Sequence, residues 1–583
     1  MTNKFFFLIF GLLLTVSHVK ADLNTITNDT FWKTTSGSYI YSQGGGIFQF
    51  PDSKGVKHYY WYGVKYQEAV DYCPNALAGS KSNLTNFVSV TCYQSDDLVN
   101  WKFVRDVMTT TTFNGHDWAW WVGRLGVAYV DSLKTYALFV QYNDKVGVFT
   151  CSTPTGNFVY HQQIDMTAMT GKSNTGDQTV FTDDDGQSYL CYSYGSGRSK
   201  IYLSKIGVCS DGKIGLLDCN QIYKGSGREG DCMFKYKGKY YVCASDLYGW
   251  NASNVYYLES SSIYGPYTPT NNMQKMPGAD SDYGHVTQTG FFYTLKGTKE
   301  ETVIYCGDRW AGFAGNGNGY NQWCPISFDN GTPYFNSLSQ WNLDGVTGEW
   351  TVGDDNNYVK NGSFDADRVN IPSASKPSQT YLKGWSSSVI KGNAIVIGGT
   401  DSPTLNASNT SSDRAIVQGN HCLNLYDKVD YTRKTYQKIS STTRVPLTDG
   451  KYRMTCKVKS GSAFKSLYMY AKSNGVEYKG DITYSDSEWH EIQITDIVIT
   501  GGSVEVGFYC DGIAGDWARV DDVTLVKTGD LEASGIINHG AVVGAKSAQI
   551  FDSTGKRLSD FQRGLNIVRE ICDGHVVTKK VLR

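Results

Sequence analysis

Residues 227–250 read GREGDCMFKYKGKYYVCASDLYGW: one glutamate in a glycine-flanked turn, then a run of aromatic and β-branched residues. The part of that run from Gly238, GKYYVCASDL, has four counterparts. They are KHYYWYGVKY from Lys57, KTYALFVQYN from Lys134, GQSYLCYSYG from Gly186 and ETVIYCGDRW from Glu301. Each reads as a strand, and SKG, DDDG and KYKG are turn signals ahead of three of them. The starts lie 77, 52, 52 and 63 residues apart. Periods of about 50 residues with several short strands each indicate a β-propeller, and five copies give five blades.

In such a ring the innermost strands surround an axis. Polar residues at the heads of different inner strands therefore meet, although they are distant in sequence. Glu229 stands at such a head, as do Asp177 in NTGDQTVFTDDDG, Gln43 in YSQGGGIFQF and Gln288 in HVTQTGFFYT. Four polar side chains beside glycine-rich backbone at one recurring position predict a site at one end of the ring.

The chain has 583 residues, enough for two to four domains. Its formal charge of −2 gives no electrostatic basis for nucleic acid or an anionic membrane as a partner. Tyrosines number 41 and tryptophans 14, which favours strands and supplies flat apolar surfaces on which sugar rings stack. Residues 1–21 have the form of a signal peptide. Lys4 gives the basic start, FFFLIFGLLLTV the apolar core and Val19-Lys20-Ala21 the cleavage site. That run is too short to span a bilayer comfortably, and no later stretch reaches its length. Cleavage before Asp22 removes two lysines and takes the charge to −4. Export permits disulfides. Yet Cys92, Cys151, Cys191, Cys243 and Cys306 lie in apolar, strand-like runs, where they act as small hydrophobes. Cys209 and Cys219, flanking SDGKIGLLD, are the candidate pair, and no Cys/His cluster has zinc spacing.

The segments GGGIFQF…KHYYWYG, GDQTVFTDDDGQSYLCYS, GREGDCMFKYKGKYYVCASDLYGWN and TQTGFFYT…VIYCGDRW, in that order over residues 38–345, resemble glycoside hydrolase family 43. The exo-β-1,3-galactanase branch is the most similar. The resemblance implies a five-bladed propeller that hydrolyses arabinosyl, xylosyl or galactosyl linkages with inversion. It makes Glu229 the general acid, Asp177 the carboxylate that orients it and adjusts its pKa, and Gln288 the group that positions water. In that branch a glutamine stands where the base aspartate is usual. The resemblance also sets Arg309 and Trp310 of GDRW near the sugar. Two positions depart from the branch: Gln43 replaces a histidine, and Gly123 of GRLG replaces a glutamate that holds substrate hydroxyls.

Inverting hydrolysis needs a protonated acid on the leaving oxygen and a water held opposite, with about 6.5–9.5 Å between the two groups. Burial or a neighbouring carboxylate, here Asp177, would raise the acid's pKa. Arg228 would oppose this if it reached Glu229, so it is expected to turn away while still lining the site. His285, Gln43, and Asp117 as a substitute carboxylate in GHDWAWWVGR are further substrate-side candidates. Trp118, Trp120 and Trp121 cannot all face one core, because neighbours on a strand alternate. Trp118 and Trp121 are the candidate stacking platforms, and GNGNGYNQW at 315–323 reads as a loop over the same pocket.

The repeat ends near residue 350. Residues 351–528, from NGSFDAD to ARVDDVTLVKTG, alternate with period two and predict a jelly-roll β-sandwich resembling a carbohydrate-binding module. Its first and last strands would be neighbours, and Asp521 or Asp522 is a candidate for a structural calcium. No other cofactor is required. Residues 529–583 predict a small β-domain resembling type IX secretion sorting domains, which implies a Gram-negative source and a secreted, periplasmic or cell-surface location. The expected whole is an all-β, monomeric, exported enzyme. It would release galactose or a pentose from a plant cell-wall oligosaccharide or polysaccharide such as arabinogalactan. The alternatives are an α-L-arabinofuranosidase or galactofuranosidase of the same family, or a propeller that binds glycan without cutting it.

Overall fold

The computed structural model describes residues 24–582 except 77–81, 83, 114–115, 117–120, 143–144, 173–175, 195, 250, 311–318, 367–381, 396–405, 409–414, 416–418, 420, 532–546, 553, 560–564 and 573–574. Five antiparallel sheets follow one another, and each is laid down in chain order. They begin with Gln43–Pro51, Val122–Val130, Gln178–Thr182, Glu229–Tyr236 and Gln288–Lys296. Each of these first strands lies against the next, and the last returns to the first, so the five close a ring of propeller blades. The repeated segments are the second strand of every blade, at Lys57–Tyr66, Thr135–Tyr142, Ser188–Tyr194, Lys239–Ser245 and Glu301–Arg309. These strands are covered on both faces by neighbouring blades, which is why they read as nearly continuous apolar runs instead of alternating. The third blade is irregular, because Ile214–Leu216 and Asn220–Lys224 both pair with Lys200–Val208.

Beyond the fifth blade, Gln340–Leu343 pairs with the N-terminal strand Asn24–Thr27 and with Trp350–Val352, tying the two ends of the propeller together. Asn28 reinforces the tie: its Nδ2 donates to the carbonyls of Trp323 and Leu338, each at 2.8 Å. Tryptophans dominate the core there, Trp61 packing against Trp32, Trp101 and Trp323 with ring centroids 5.0–6.1 Å apart.

Four of the five inner strands carry a register shift directly after their first residue, at Gln43/Gly46, Val122/Leu125, Glu229/Cys232 and Gln288/Phe291. A bulge adds an unpaired residue and bends the strand, which re-aims the side chains beside it. Repeated around the ring, it turns the strand heads toward a common point.

Two five-stranded sheets follow the propeller. One runs Ser386–Lys391, Tyr431–Ser440, Ser503–Gly512, Ser466–Ser473, Val476–Asp481, and the other Asn406–Ser408, His421–Tyr426, Trp517–Gly529, Gly450–Ser460, Trp489–Ile499. Phe364, Trp385, Tyr452, Met454, Met469 and Phe508 belong to the core between them. Its entry and exit are neighbours, as NGSF and DDV led us to expect: Val523 N–H donates to Gly362 and Tyr358 N–H to Leu525. Asp521 is buried there, with its Oδ1 accepting the Asp522 N–H at 2.8 Å. Among the described residues no three His, Cys, Asp or Glu side chains converge on a metal position. The C-terminal segment forms a four-stranded sheet built from Ser547–Asp552, Arg557–Leu558, Leu565–Cys572 and His575–Leu582.

Cys209 and Cys219 are both free thiols, so the candidate pair is not joined. No helix among the described residues is long and apolar enough to cross a membrane. Residues 1–21 lie outside the described residues.

Candidate active site

The bulged strand heads converge on Arg124, two residues into the second blade's inner strand and 3% exposed. Its Nε donates to Asp177 Oδ2 at 3.1 Å and its Nη1 to Asp308 Oδ2 at 2.9 Å. Its Nη2 donates to Gln288 Oε1 at 3.1 Å and to the Thr289 carbonyl at 3.0 Å. One guanidinium thus links blades 2, 3 and 5. Burial alone would lower its pKa, but Asp177 and Asp308 outweigh burial and raise it. Arg124 is therefore a fixed charge.

Glu229 completes the group from blade 4. Its Oε1 accepts from Gln288 Nε2 at 2.9 Å. Gln288 Oε1 accepts from both Arg124 and the Trp310 indole N–H, the latter at 3.1 Å, and two obligate donors fix which end of the amide is oxygen. Burial pushes the Glu229 carboxyl up to about 8 and the negative charge of Asp177 adds to it, against Arg124, Arg198 and the Gly249 N–H. This favours the protonated form of Glu229, and because Oε1 already accepts from Gln288, Oε2 is the oxygen left for the proton. The acid is also anchored through its backbone. Gly230 adopts φ +64°, and a Cβ there would lie 2.4 Å from the Thr289 carbonyl oxygen, so only glycine brings blades 4 and 5 this close. Asp177 Oδ2 receives the Gly230 N–H at 2.7 Å, which holds Asp177 beside the acid.

The structure brings Glu229, Asp177, Gln288 and Trp310 together, but Gln288 touches the acid at 2.9 Å where an inverting pair stands about 6.5–9.5 Å apart. It also places Gln43 beside them: its Nε2 packs against Gly319, next to the Trp310 ring. Trp121 is half-buried, and its indole occupies the space a side chain at 123 would need. A Cβ on Gly123 would meet Trp121 Cη2 at 2.4 Å. The indole thus fills the position where the resembling branch has its glutamate. Asp117, Trp118, Trp120 and residues 315–318 lie outside the described residues.

Three expected substrate contacts are elsewhere. Arg228 turns from Glu229, as anticipated, but its guanidinium is buried, pairing with Asp246 at 2.8 Å and stacking 3.9 Å over Tyr256. His285 and Arg309 belong to a second polar cluster facing the sandwich. Arg309 Nη1 donates to Asp29 Oδ1 at 2.7 Å and Nη2 to Ser363 Oγ at 3.1 Å. The His285 ring lies between Asp29 Oδ2 at 3.2 Å and Ser337 Oγ at 2.9 Å. These residues, with Asp282 and Asp522, line a cavity of about 260 Å³ between propeller and sandwich. Strand alternation is the reason: Asp308 and Trp310 face the centre, so Arg309 between them faces away.

Sequence reasoning missed Arg124, Asp308, Arg198 and Asp231. Asp231 lies within the same bulge as Glu229 and is fully buried, with Ser193 the side chain nearest to bonding it among the described residues. Burial, then Asp177, raises its pKa well above the usual carboxyl range. A signal existed for Arg124 and Asp308, since an arginine in VGRLGVAY and an aspartate in VIYCGDRW are charges inside otherwise apolar strands.

Residues 79–321 match the profile of glycosyl hydrolases family 43, so the chain carries a glycoside hydrolase domain. Among solved structures, the exo-β-1,3-galactanase 1,3Gal43A of Clostridium thermocellum is 18% identical, with 86% of this chain and 100% of that chain covered and a TM-score of 0.49. The exo-β-1,3-galactanase of Phanerochaete chrysosporium, bound to β-1,3-galactotriose, is 18% identical, with 86% and 100% covered and a TM-score of 0.48. An endo-1,4-β-xylanase of Bacteroides thetaiotaomicron is 20% identical, with 51% and 95% covered and a TM-score of 0.35. Among curated proteins, a 1,6-α-glucosyltransferase of Sporosarcina globispora is 30% identical over 95 residues. That match spans 16% of this chain and only 7% of the relative's length.

Proposed function

We propose that the Glu229 centre is an inverting, exo-acting glycosidase that removes galactose from a β-1,3-linked galactan such as the backbone of arabinogalactan. The carrying observation is a half-buried glutamate, its carboxyl pushed up to about 8, at the head of an inner strand in the region that matches family 43, hydrogen-bonded to Gln288 and with Asp177 held beside it. In the reaction the Oε2 proton passes to the glycosidic oxygen and the departing sugar leaves as an alcohol. Water attacks the opposite face of the anomeric carbon and surrenders its proton to solvent. Gln288 supports this by holding Oε1. Its carbonyl already accepts from two donors, so only its second amide hydrogen is open to the water, as a donor. Leaving-group protonation therefore carries most of the acceleration, and about 10²–10⁴-fold is the ordinary contribution of such an acid. Export and a glycan-binding role for the sandwich complete the proposal.

One observation favours glycan binding without cleavage: the amide at the water position cannot take up a proton. The test is a panel of β-1,3-galactan, arabinan and arabinogalactan, with wild type beside Glu229→Gln. Release of galactose by the wild type alone, as the inverted anomer by NMR, is the expected result. Retention of glycan with no release by either protein would replace hydrolysis by binding.

A further inference from the structure

Four arginines lie on or next to the blade strands that carry the centre, two of them, Arg228 and Arg309, turned away from it. Arg124 answers to Asp177 and Asp308, Arg228 to Asp246, and Arg309 to Asp29. Arg198, in the turn after Ser188–Tyr194, is partly exposed and has no carboxylate oxygen within 4.0 Å among the described residues. It is nonetheless held in place. Its backbone is left-handed at φ +51°, which is costly for a residue with a Cβ, and its carbonyl accepts the Arg228 N–H at 2.9 Å, one residue from the acid. Its Nη1 lies 2.7 Å from where a Cβ on Gly176 would sit, so the guanidinium rests on the backbone just before Asp177. Its charge also reaches Glu229 and Asp231. Burial and Asp177 favour the neutral form of both carboxyls.

We propose that Arg198 determines specificity by receiving the carboxylate of an acidic sugar, a uronate carried next to the bond that Glu229 protonates. The inference rests on the hydrolytic reading above for the location of that bond. A substrate entering the site displaces water from the guanidinium. A desolvated, unpaired charge is costly, and a sugar hydroxyl compensates it only in part. A carboxylate matches the planar fork with two parallel N–H···O bonds and cancels the charge. Had Arg198 served only to balance Asp177, an ion pair between them would be expected, and Asp177 is paired with Arg124 instead.

The test uses two galactose disaccharides that differ only at C6, one bearing a hydroxymethyl group and the other a carboxylate. Calorimetry on the full chain carrying Glu229→Gln reads binding without turnover, with Arg198 intact or replaced by Gln or Lys. The acidic disaccharide should bind at least about ten-fold more tightly than the neutral one when Arg198 is present. That ratio should collapse in Arg198→Gln and be intermediate in Arg198→Lys, which keeps the charge without the fork. A ratio near one with Arg198 present overturns the proposal. So does a ratio that survives Arg198→Gln, or failure of the acidic sugar to bind at millimolar concentration. A purely structural role for Arg198 would weaken both disaccharides alike and leave the ratio unchanged, which also overturns it. Sugar release by the wild type is scored separately. Selective binding without release would sink the hydrolytic reading and leave the role of Arg198 standing.

Discussion

Arg124 and Arg309 are 3% and 2% exposed, each holds carboxylates, and each ties together segments distant in sequence. They differ in what surrounds those carboxylates. Around Arg309, Asp29 is saturated by Arg309, Gln322 Nε2 at 2.8 Å and the His285 ring, and burial is outweighed so that its carboxyl is held well below the usual range. Around Arg124, the network ends on a carboxyl pushed the opposite way, Glu229, with one oxygen held by Gln288 and the other left for a proton. Two clusters of similar composition are therefore a joint and the centre we propose for the reaction. The sign of the carboxyl shift separates them.

The largest expected effect belongs to the centre. Glu229→Gln should lower sugar release about 10²–10⁴-fold while leaving the thermal midpoint near that of wild type, because below pH 8 a neutral amide replaces an already neutral acid. Turnover loss accompanied by unfolding would make Glu229 a structural residue and erase the contrast.

Replacing the arginines probes the contrast directly. Arg124→Met leaves Asp177 and Asp308 without their cation, and breaking a buried pair typically costs about 3–5 kcal/mol, so the thermal midpoint and turnover should fall together. Arg309→Met should destabilise less, because Asp29 keeps His285 and Gln322 and is partly open to water. The folded protein should retain its pH–rate profile. If instead Arg309→Met raised KM for the glycan at unchanged stability, Arg309 would return to the sugar site.

A third effect is on pH dependence. The proposed reaction needs protonated Glu229, so kcat/KM should fall as pH rises past about 8. Asp177→Asn removes a negative charge that favours the protonated form, so this limb should move to lower pH. The same linkage makes the raised Glu229 a stabilising influence only while it is protonated. Between its unfolded pKa and about 8 the folded chain binds the extra proton, and stability should decline with pH across that window in the wild type but not in Glu229→Gln. An unmoved limb in Asp177→Asn would confine Asp177 to positioning.

How much of this could be read beforehand follows from where each residue lies. The second strands of the blades were legible because burial on both faces writes itself as uninterrupted aromatic and β-branched runs. The strand heads were legible because glycine accompanies each polar residue there. Arg124 was not, since its aim comes from a bulge after Val122, and period-two reasoning has no term for one inserted residue. Arg309 lies in the other cluster for the complementary reason: it neighbours the centre along the chain, but an Asp-Arg-Trp triplet on a strand sends its middle member to the other side, here toward Asp29 and Ser363.

The smallest effect tests why the centre tolerates a glycine at position 123. The Trp121 indole occupies the position a side chain would take, with Cη2 at 2.4 Å and Cζ2 at 2.7 Å from an added Cβ, and Gln141 Oε1 closes the other side at 2.8 Å. Gly123→Ala must therefore displace the indole, which overpacking precedents put at about 1–3 kcal/mol. Trp121→Ala opens the same space. The double variant Gly123→Ala/Trp121→Ala should then be more stable than the sum of the single losses predicts, with a coupling energy of about 0.5–3 kcal/mol in a thermal-denaturation cycle. Additive losses would mean the indole does not stand where a side chain at 123 would go. Coupling without any change in glycan affinity for Trp121→Ala would make the indole a filler of the site's wall, with no part in sugar stacking.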